Sequence, residues 1–244
     1  MTTDIFLSII IPAHNEEFRL PASLAQIDEF LKTQPYTAEV IVVENGSHDR
    51  TAEVVRNFAT THPYVTLIEA TTRGKGLAIR QGMLAARGEY RFFADADLSM
   101  PIAEVVKFIP PRLNHKGIAI GSREIAGAVR YNEPYYRHLM GRVFSTIVKW
   151  FALPGYEDTQ CGFKCFHAEA AERIFRVQVL NGMSFDVEVL YIGKQMGYPI
   201  VEIPINWYFN AESRVRLVQD SLSMLLDIFT IRRNWRKGVY STPP

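Results

Sequence analysis

Short apolar runs alternate with segments of helical period along the first half of the chain. Runs rich in β-branched and aromatic residues predict strands at 7–11, 39–43, 65–68, Tyr90–Ala94 and 118–121. Apolar residues three and four apart predict helices at 20–31, 51–60, 76–86 and 103–108, the second capped by Ser47 or Asp49. This alternation is typical of crossover units, so we expect an α/β fold with a mostly parallel central sheet flanked by helices.

Two longer helical segments lie in the second half. Tyr135–Phe151 carries its apolar residues on one face, and 217–231 is apolar around much of its circumference and runs into a basic stretch, 232–237. Stripes of this kind pack in a core more often than against lipid. Trp150 and Phe151, which lie beside basic residues, also suit amphipathic helices in a membrane interface. We expect C-terminal amphipathic interfacial helices, with core packing as the alternative.

Composition narrows the class of protein. The 244 residues suffice for one α/β core, so we expect a single domain over 1–236 and a tail at 237–244. The 27 Lys and Arg residues nearly balance 26 Asp and Glu residues, which argues against nonspecific binding of nucleic acid. The two cysteines, Cys161 and Cys165, predict buried reduced thiols instead of a disulfide framework or a zinc site.

The N-terminal sequence predicts a cytoplasmic chain. Residues 1–4 carry no basic cluster, and the apolar run at 5–11 is shorter than a signal-peptide core. No segment reaches the roughly 20 apolar residues that a membrane span needs. Any membrane contact is therefore expected to be peripheral.

Polar clusters follow the predicted strands at 12–16, 44–47 and 95–97. Ligands of open α/β sheets bind beyond the carboxyl ends of the strands, where these clusters fall. Asp95 and Asp97 supply two carboxylates, the ligands that Mg²⁺ takes together with substrate phosphate oxygens. The same triplet also fits a solvated turn with one capping Asp, so alone it predicts a metal site only weakly.

A basic glycine-rich segment, Arg73-Gly74-Lys75-Gly76, opens the third predicted helix. Free backbone amides and a cation at a helix start can hold a phosphate. The spacing does not fit a Walker A loop, and an ordinary turn explains it equally well.

Six motifs follow one another in a fixed order. They are Ser-Ile-Ile-Ile-Pro-Ala-His-Asn-Glu (8–16), Glu-Asn-Gly-Ser (44–47), Gly-Lys-Gly (74–76), Asp-Ala-Asp (95–97), Gly-Ser-Arg (121–123) and Asp-Thr-Gln-Cys-Gly-Phe-Lys (158–164). In this order they resemble the family 2 inverting glycosyltransferases, and within them the dolichyl-phosphate β-glucosyltransferases and related polyprenyl-phosphate sugar synthases. The resemblance implies a GT-A type nucleotide-diphospho-sugar transferase fold. Its nucleotide-sugar half would cover 1–122, and its acceptor and membrane-interface half would cover 123–236.

The resemblance also implies donor-side residues. Those expected to bind the nucleotide sugar are Pro12, Ala13, Asn15, Glu16, Glu44, Lys75, Asp95 and Arg214. Those expected to hold Mg²⁺ or Mn²⁺ are Asp95, Asp97 and Ser99. Asn45 stands where many relatives have Asp, and Ser99 where mannosyl-phosphate synthases tend to have Gln. The first departure leaves the base preference open, and the second favours the glucosyl branch.

On the acceptor side, the resemblance implies that Arg123, Arg137 and Lys164 bind a phosphate. Arg suits this role because its planar fork meets phosphate oxygens bidentately, although a surface ion pair is the alternative for Arg123. The expected catalytic residues are Asp97, Arg123 and Asp158, with Asp158 either a base or an organiser of the acceptor site. A phosphate monoester, with its second pKa at about 6, hardly needs a base, which favours the organiser. The run 184–188 is also seen in the lipid-phosphate branch, or is simply a helix start at Ser184.

The function that these features imply is transfer of a hexose onto polyprenyl or dolichyl phosphate with inversion, most readily glucose from UDP-glucose. GDP-mannose as donor, a soluble acceptor, and nucleotide-sugar binding without catalysis are the alternatives. We expect the protein at the inner face of a membrane as a peripheral protein. Self-association or a separate membrane partner would help to anchor it.

Overall fold

The computed structural model describes residues 4–210 and 217–241; the side chains of 136, 137, 139–141, 143, 144, 147 and 217–223 are outside the description. The strands are β1 Leu7–Ala13, β2 Ala38–Asn45, β3 Val65–Ala70, β4 Tyr90–Ala94, β5 Ile118–Ser122, β6 Val129–Tyr131, β7 Phe163–His167, β8 Ile200–Pro204 and β9 Asn206–Tyr208. The α-helices are α1 Leu20–Lys32, α2 Thr51–Ala59, α3 Lys75–Ala85, α4 Tyr135–Phe151, α5 Ala168–Val177, α6 Phe185–Gln195 and α7 Leu217–Arg236, with a 3₁₀ helix at Ile102–Lys107.

A seven-stranded sheet in the order β3-β2-β1-β4-β7-β5-β8 forms the centre of the fold. Its strands are parallel except β7, which runs antiparallel to both β4 and β5. Strands β6 and β9 form a separate two-stranded parallel sheet. The expectation of a mostly parallel sheet flanked by helices is confirmed.

Apolar side chains cover both faces of the central sheet because successive strand residues point to opposite sides. In β1, Ile10 packs in the cluster that includes Phe93 and Phe185, whereas Ile9 and Ile11 pack in the cluster on the other face. A sheet buried on both faces explains why its strands read as continuous apolar runs. That continuity made β1 to β5 predictable.

Four strands and helix α5 were not predicted from the sequence, whereas α6 begins after Ser184, as one of the two interpretations of 184–188 expected. Strands β6 and β9 have three residues each, too few to show a period. In β7, Lys164 interrupts the apolar pattern, although its side chain is fully buried. The expected cap of α2 also differs: α2 follows Arg50, and the Asp49 carboxylate accepts the Thr51 backbone N–H at 3.0 Å.

The start of the expected tail belongs to the packed fold. Tyr240 is 1% exposed, and its hydroxyl donates to the Glu188 carboxylate at 2.8 Å. Glu188 also accepts the backbone N–H groups of Val179 and Leu180. No helix in the described residues is both long and apolar enough to cross a membrane.

Tyr240→Phe tests this C-terminal contact. Removing the hydroxyl takes one donor from a buried carboxylate, so we expect the free energy of unfolding to fall by about 2 kcal/mol. Urea denaturation measures the change. Tyr208→Phe is the matched control: Tyr208 is 45% exposed, and its loss of a hydroxyl should change stability by less than about 0.5 kcal/mol.

Candidate active site

The loops after β1 and β2 are bound to each other at the carboxyl edge of the sheet. The Asn15 backbone N–H donates to Ser47 Oγ at 2.9 Å, and Asn15 Oδ1 accepts the His48 backbone N–H at 2.8 Å. Asn15 has a φ of 54°, a left-handed conformation that Asn tolerates better than most residues. Pro12 and the buried Ala13 end β1 just before this turn.

Two acidic residues expected to bind the nucleotide lie at these strand ends. Glu16 pairs with Arg19 at 2.6 Å, and its backbone N–H donates to Thr51 Oγ1 at 2.8 Å. The Glu44 carboxylate accepts the Ser47 backbone N–H. Both carboxylates are buried and oriented by their own loops. Their contact with a nucleotide stays a prediction.

Lys75, at the start of α3, reaches the carboxylate that follows β4. Its Nζ lies 2.5 Å from Asp95 Oδ1. Burial alone would lower the pKa of Lys75, but the charges of Asp95 and Asp186 outweigh burial and raise it. Lys75 is therefore a charged group, and it neutralises Asp95.

Gly162 leaves the space that the Asp95 carboxylate fills. A Cβ built on Gly162 would lie 2.1 Å from Asp95 Oδ2 and 2.5 Å from its Cγ. Real atoms do not approach so closely, so any side chain at position 162 would displace Asp95. The segment 158–164 therefore packs directly against the donor-side acid.

The acids after β4 fit a hard divalent cation. Asp95 and Asp97 are partly exposed at the sheet edge, and Asp97 Oδ1 accepts the Ser99 backbone N–H at 3.0 Å. Among the described residues there is no cluster of three or more His, Cys, Asp or Glu side chains that could hold a metal. Two protein carboxylates, completed by phosphate oxygens and water, match the usual shell of Mg²⁺.

Arg123 and Asp158 form a bidentate ion pair across the site. Arg123 Nε and Nη2 donate to the two Asp158 oxygens at 2.7 and 2.9 Å, and the Arg123 backbone N–H adds a bond at 3.0 Å. Burial would raise the pKa of Asp158, but the charge and hydrogen bonds of Arg123 lower it to about 2. The Arg123 guanidinium also lies 5.5 Å from the centre of the Trp207 ring.

Lys164 does not reach the surface of the site. Its side chain is fully buried, donates to the Cys161 carbonyl at 2.5 Å and pairs with Asp186. The Lys164 ammonium is thus enclosed and neutralised, and its contact with the acceptor phosphate stays a prediction. Burial raises the pKa of the Cys161 thiol to about 12, so Cys161 is an inert buried thiol as expected.

The structure says less about three further residues of the predicted site, Arg137, Arg214 and Ser99. Arg137 lies in α4, but its side chain is outside the description, and Arg214 lies outside the described residues. Ser99 lies two residues beyond Asp97, and its role as a metal ligand stays a prediction. Sequence reasoning gave no role to Trp207 or Gly162, although Gly162 lies within the motif 158–164.

The sequence signature described as Glycosyl transferase family 2 matches residues 8–180, which include every motif from Pro12 to Lys164. The chain belongs to glycosyl transferase family 2. A dolichyl-phosphate beta-glucosyltransferase of Dictyostelium discoideum is 33% identical over 251 residues, covering 97% of this chain and 77% of the relative. The Homo sapiens protein of the same name is 35% identical over 251 residues, covering 96% and 77%.

Solved structures show that this family 2 chain has the expected GT-A fold. Mannosyltransferase PcManGT from Pyrobaculum calidifontis, in complex with GDP-Man and Mn²⁺, has a TM-score of 0.60 at 23% identity and covers 95% of this chain and 65% of that chain. Glucosyl-3-phosphoglycerate synthase from Mycobacterium tuberculosis, with Mn²⁺, UDP and glucosyl-3-phosphoglycerate, has a TM-score of 0.62 at 16% identity, covering 98% and 81%.

Asp158→Asn tests the electrostatics of the Arg123 pair. Because the pKa of Asp158 is lowered from 3.8 to about 2 on folding, its ionised form stabilises the native state at neutral pH. This contribution is lost as the pH falls from about 4 toward 2. The difference in the free energy of unfolding between the native chain and Asp158→Asn should therefore shrink by about 1 kcal/mol between pH 6 and pH 3. Urea denaturation at each pH measures it, and a constant difference would contradict the assignment.

Proposed function

We propose that this chain transfers glucose from UDP-glucose to dolichyl or polyprenyl phosphate with inversion at the anomeric carbon. The observation that carries the proposal is the Arg123–Asp158 pair, which lies at the same edge of the sheet as the acids that follow β4. This arrangement supports an acceptor-phosphate ligand and a donor site at one sheet edge. The relatives named dolichyl-phosphate beta-glucosyltransferase, matched over nearly the whole chain, support the acceptor and the sugar.

On the donor side, Asp95 and Asp97 would hold Mg²⁺ or Mn²⁺. The Mn²⁺ complexes of the two structural neighbours support a divalent ion. When bound, such an ion neutralises charge that builds on the departing diphosphate. Lys75 supplies a second positive charge at the same place, because its Nζ already lies 2.5 Å from Asp95. Glu16 and Glu44 would orient the nucleoside.

On the acceptor side, Arg123 positions the attacking phosphate. A phosphate oxygen attacks the anomeric carbon from the face opposite the nucleotide, the bond from that carbon to the diphosphate oxygen breaks, and UDP leaves with the bonding electrons. The acceptor phosphate, with its second pKa at about 6, is largely ionised near neutrality and hardly needs a base. Asp158, with a pKa of about 2 and both oxygens on Arg123, is a poor base and a good anchor. It therefore organises Arg123.

An exposed apolar patch between α4 and α7 supports a lipid-linked acceptor over a soluble one. We call Trp150, Phe151, Leu226 and Phe229 the apolar patch; they are 80%, 46%, 65% and 58% exposed. The rings of Phe151 and Phe229 lie 6.1 Å apart, and Arg232 donates to the Phe151 carbonyl at 3.0 Å. Aromatic residues beside basic ones suit the interface of an anionic leaflet. We infer peripheral attachment at the cytoplasmic face, to which self-association or a membrane partner would add.

A donor panel tests the reaction. The purified chain, Mn²⁺ and a polyprenyl phosphate are incubated with radiolabelled UDP-glucose, GDP-mannose and other nucleotide sugars in turn, and label is counted in the organic phase. We expect transfer from UDP-glucose. Transfer from GDP-mannose alone would indicate a mannosyltransferase instead of a glucosyltransferase. No transfer from any donor would overturn the proposal.

The Asp97→Asn variant tests the metal assignment. Losing one of two carboxylate ligands should lower kcat/KM at least about a hundredfold. Glu53→Gln, an exposed acid on α2, is the control and should keep full activity. Transfer that survives in Asp97→Asn would rule out its role as a metal ligand.

Substitutions in the apolar patch test membrane attachment. Trp150→Ser and Phe229→Ser each remove a large exposed apolar side chain, so each should weaken binding to vesicles of phosphatidylcholine and phosphatidylserine about tenfold. Sedimentation with the vesicles measures the bound fraction. Phe18→Ser is the control, because Phe18 is 85% exposed but lies outside the patch, before α1. Equal loss in all three variants would contradict a specific docking face.

A further inference from the structure

Lys164 lies on the strand that separates the donor and acceptor sides. Strand β7 pairs with β4 on one side and β5 on the other, and Lys164 is opposite both Phe93 and Ile120. Asp95 follows β4, and Arg123 follows β5. The fully buried Lys164 ammonium therefore sits between the strands that deliver the two halves of the site.

The Lys164 ammonium fixes the turn that touches both halves. Its bond to the Cys161 carbonyl holds the segment 158–162. At the N-terminal end of that segment, both carboxylate oxygens of Asp158 accept hydrogen bonds from the Arg123 guanidinium. At the other end, Gly162 packs against the Asp95 carboxylate.

Asp186, the partner of Lys164, faces the donor side. Burial raises the pKa of Asp186; the charges of Lys164 and Lys75 oppose this rise, and the charge of Asp95 adds to it. The turn before α6 also holds the segment that carries Lys75: the Gly76 backbone N–H donates to the Asn181 carbonyl at 2.9 Å. A Cβ on Gly76 would lie 2.6 Å from the Leu180 carbonyl oxygen, so this contact is tight.

Positive and negative groups therefore alternate across the site. Three ion pairs carry this alternation: Arg123–Asp158, Lys164–Asp186 and Lys75–Asp95. Between these pairs, the charge of Lys164 acts on Asp158 and the charge of Lys75 acts on Asp186. A buried ion pair such as Lys164–Asp186 is weak evidence for stability, since apolar residues of similar size often replace such a pair without loss. Its place between two functional pairs points to another role.

We propose that Lys164 and Asp186 are positioning residues that couple occupation of the acceptor-phosphate site to binding of the donor. The proposal rests on the function proposed above. A phosphate on Arg123 weakens its hold on Asp158, and Asp158 then attracts Lys164. Asp186, partly released, attracts Lys75, and Asp95 is freed for the metal and donor diphosphate. Each shift follows from Coulomb attraction between neighbouring charges.

The direction of the coupling follows from this order. An acceptor phosphate should tighten donor binding, and by linkage the donor should tighten acceptor binding by the same factor. Such coupling would favour assembly of the complete complex over either half-filled state, in which water could take the sugar.

The coupling is measured by calorimetric titration of UDP in the presence of Mn²⁺, with and without farnesyl phosphate in detergent. For the native chain we expect farnesyl phosphate to tighten UDP binding about fivefold or more. In Asp186→Asn, and in the double variant Lys164→Met with Asp186→Leu, the ratio of the two dissociation constants should fall to about one. Thermal denaturation of each variant reports whether it is folded.

A control variant separates coupling from general damage. Glu39 is also buried and paired, with Arg87 at 2.8 Å, but it lies at the amino end of the strands. Glu39→Gln should keep the native ratio. A ratio near one in the native chain, or a native ratio in folded Asp186→Asn and in the folded double variant, would overturn the proposal. The titration does not require turnover. Coupled binding in the titration without sugar transfer in the donor panel would therefore contradict the proposed function but leave the coupling intact.

Discussion

The pairing of Ala94 with Phe163 decides how the site is built. Because β7 runs antiparallel, its first residue lies beside the last residue of β4, at the edge where the parallel strands end. The turn 158–162 that precedes β7 is thereby delivered to the same edge as Asp95. A parallel strand in this position would have sent that turn to the opposite edge of the sheet. One reversed strand thus brings the turn 158–162 to the sheet edge where Asp95 lies.

Close contact at this edge limits which residues fit there. Position 162 requires glycine because the Asp95 carboxylate occupies the space that a Cβ would need. Position 76 requires glycine because the turn before α6 occupies the corresponding space there. The charged side chains at this edge are also in close contact, and each forms an ion pair: Arg123 with Asp158, Lys164 with Asp186 and Lys75 with Asp95. Lys164 and Asp186 are the buried pair, and burial of either one without the other would cost several kcal/mol, whereas Lys75, Asp95 and Arg123 are partly exposed.

The first half of the fold could be read from the sequence because strands buried on both faces appear as apolar runs between helical periods. Asp95 and Lys75 were found as candidates because their motifs follow a strand end or open a helix, and Arg123 because its motif resembles that of the family. Strand β7 was missed because a buried Lys164 looks like a surface residue until Asp186, 22 positions later, is placed beside it. The roles of Trp207 and of Gly162, although Gly162 lies within a motif, were missed for the same physical reason: they depend on Arg123 and Asp95, which are distant in the sequence.

The Arg123–Asp158 pair stabilises the fold and also involves the arginine that we propose as the ligand of the acceptor phosphate. A phosphate that binds Arg123 must share a guanidinium whose two donors already serve a carboxylate. The carboxylate retains its backbone bond from Arg123 and lies within reach of the Lys164 charge, so it is not left unpaired when the guanidinium turns toward a phosphate. The Arg123 pair lowers the pKa of Asp158 and so keeps this carboxylate ionised, and the ionised carboxylate in turn holds the guanidinium at the end of β5, where we propose that the acceptor phosphate binds.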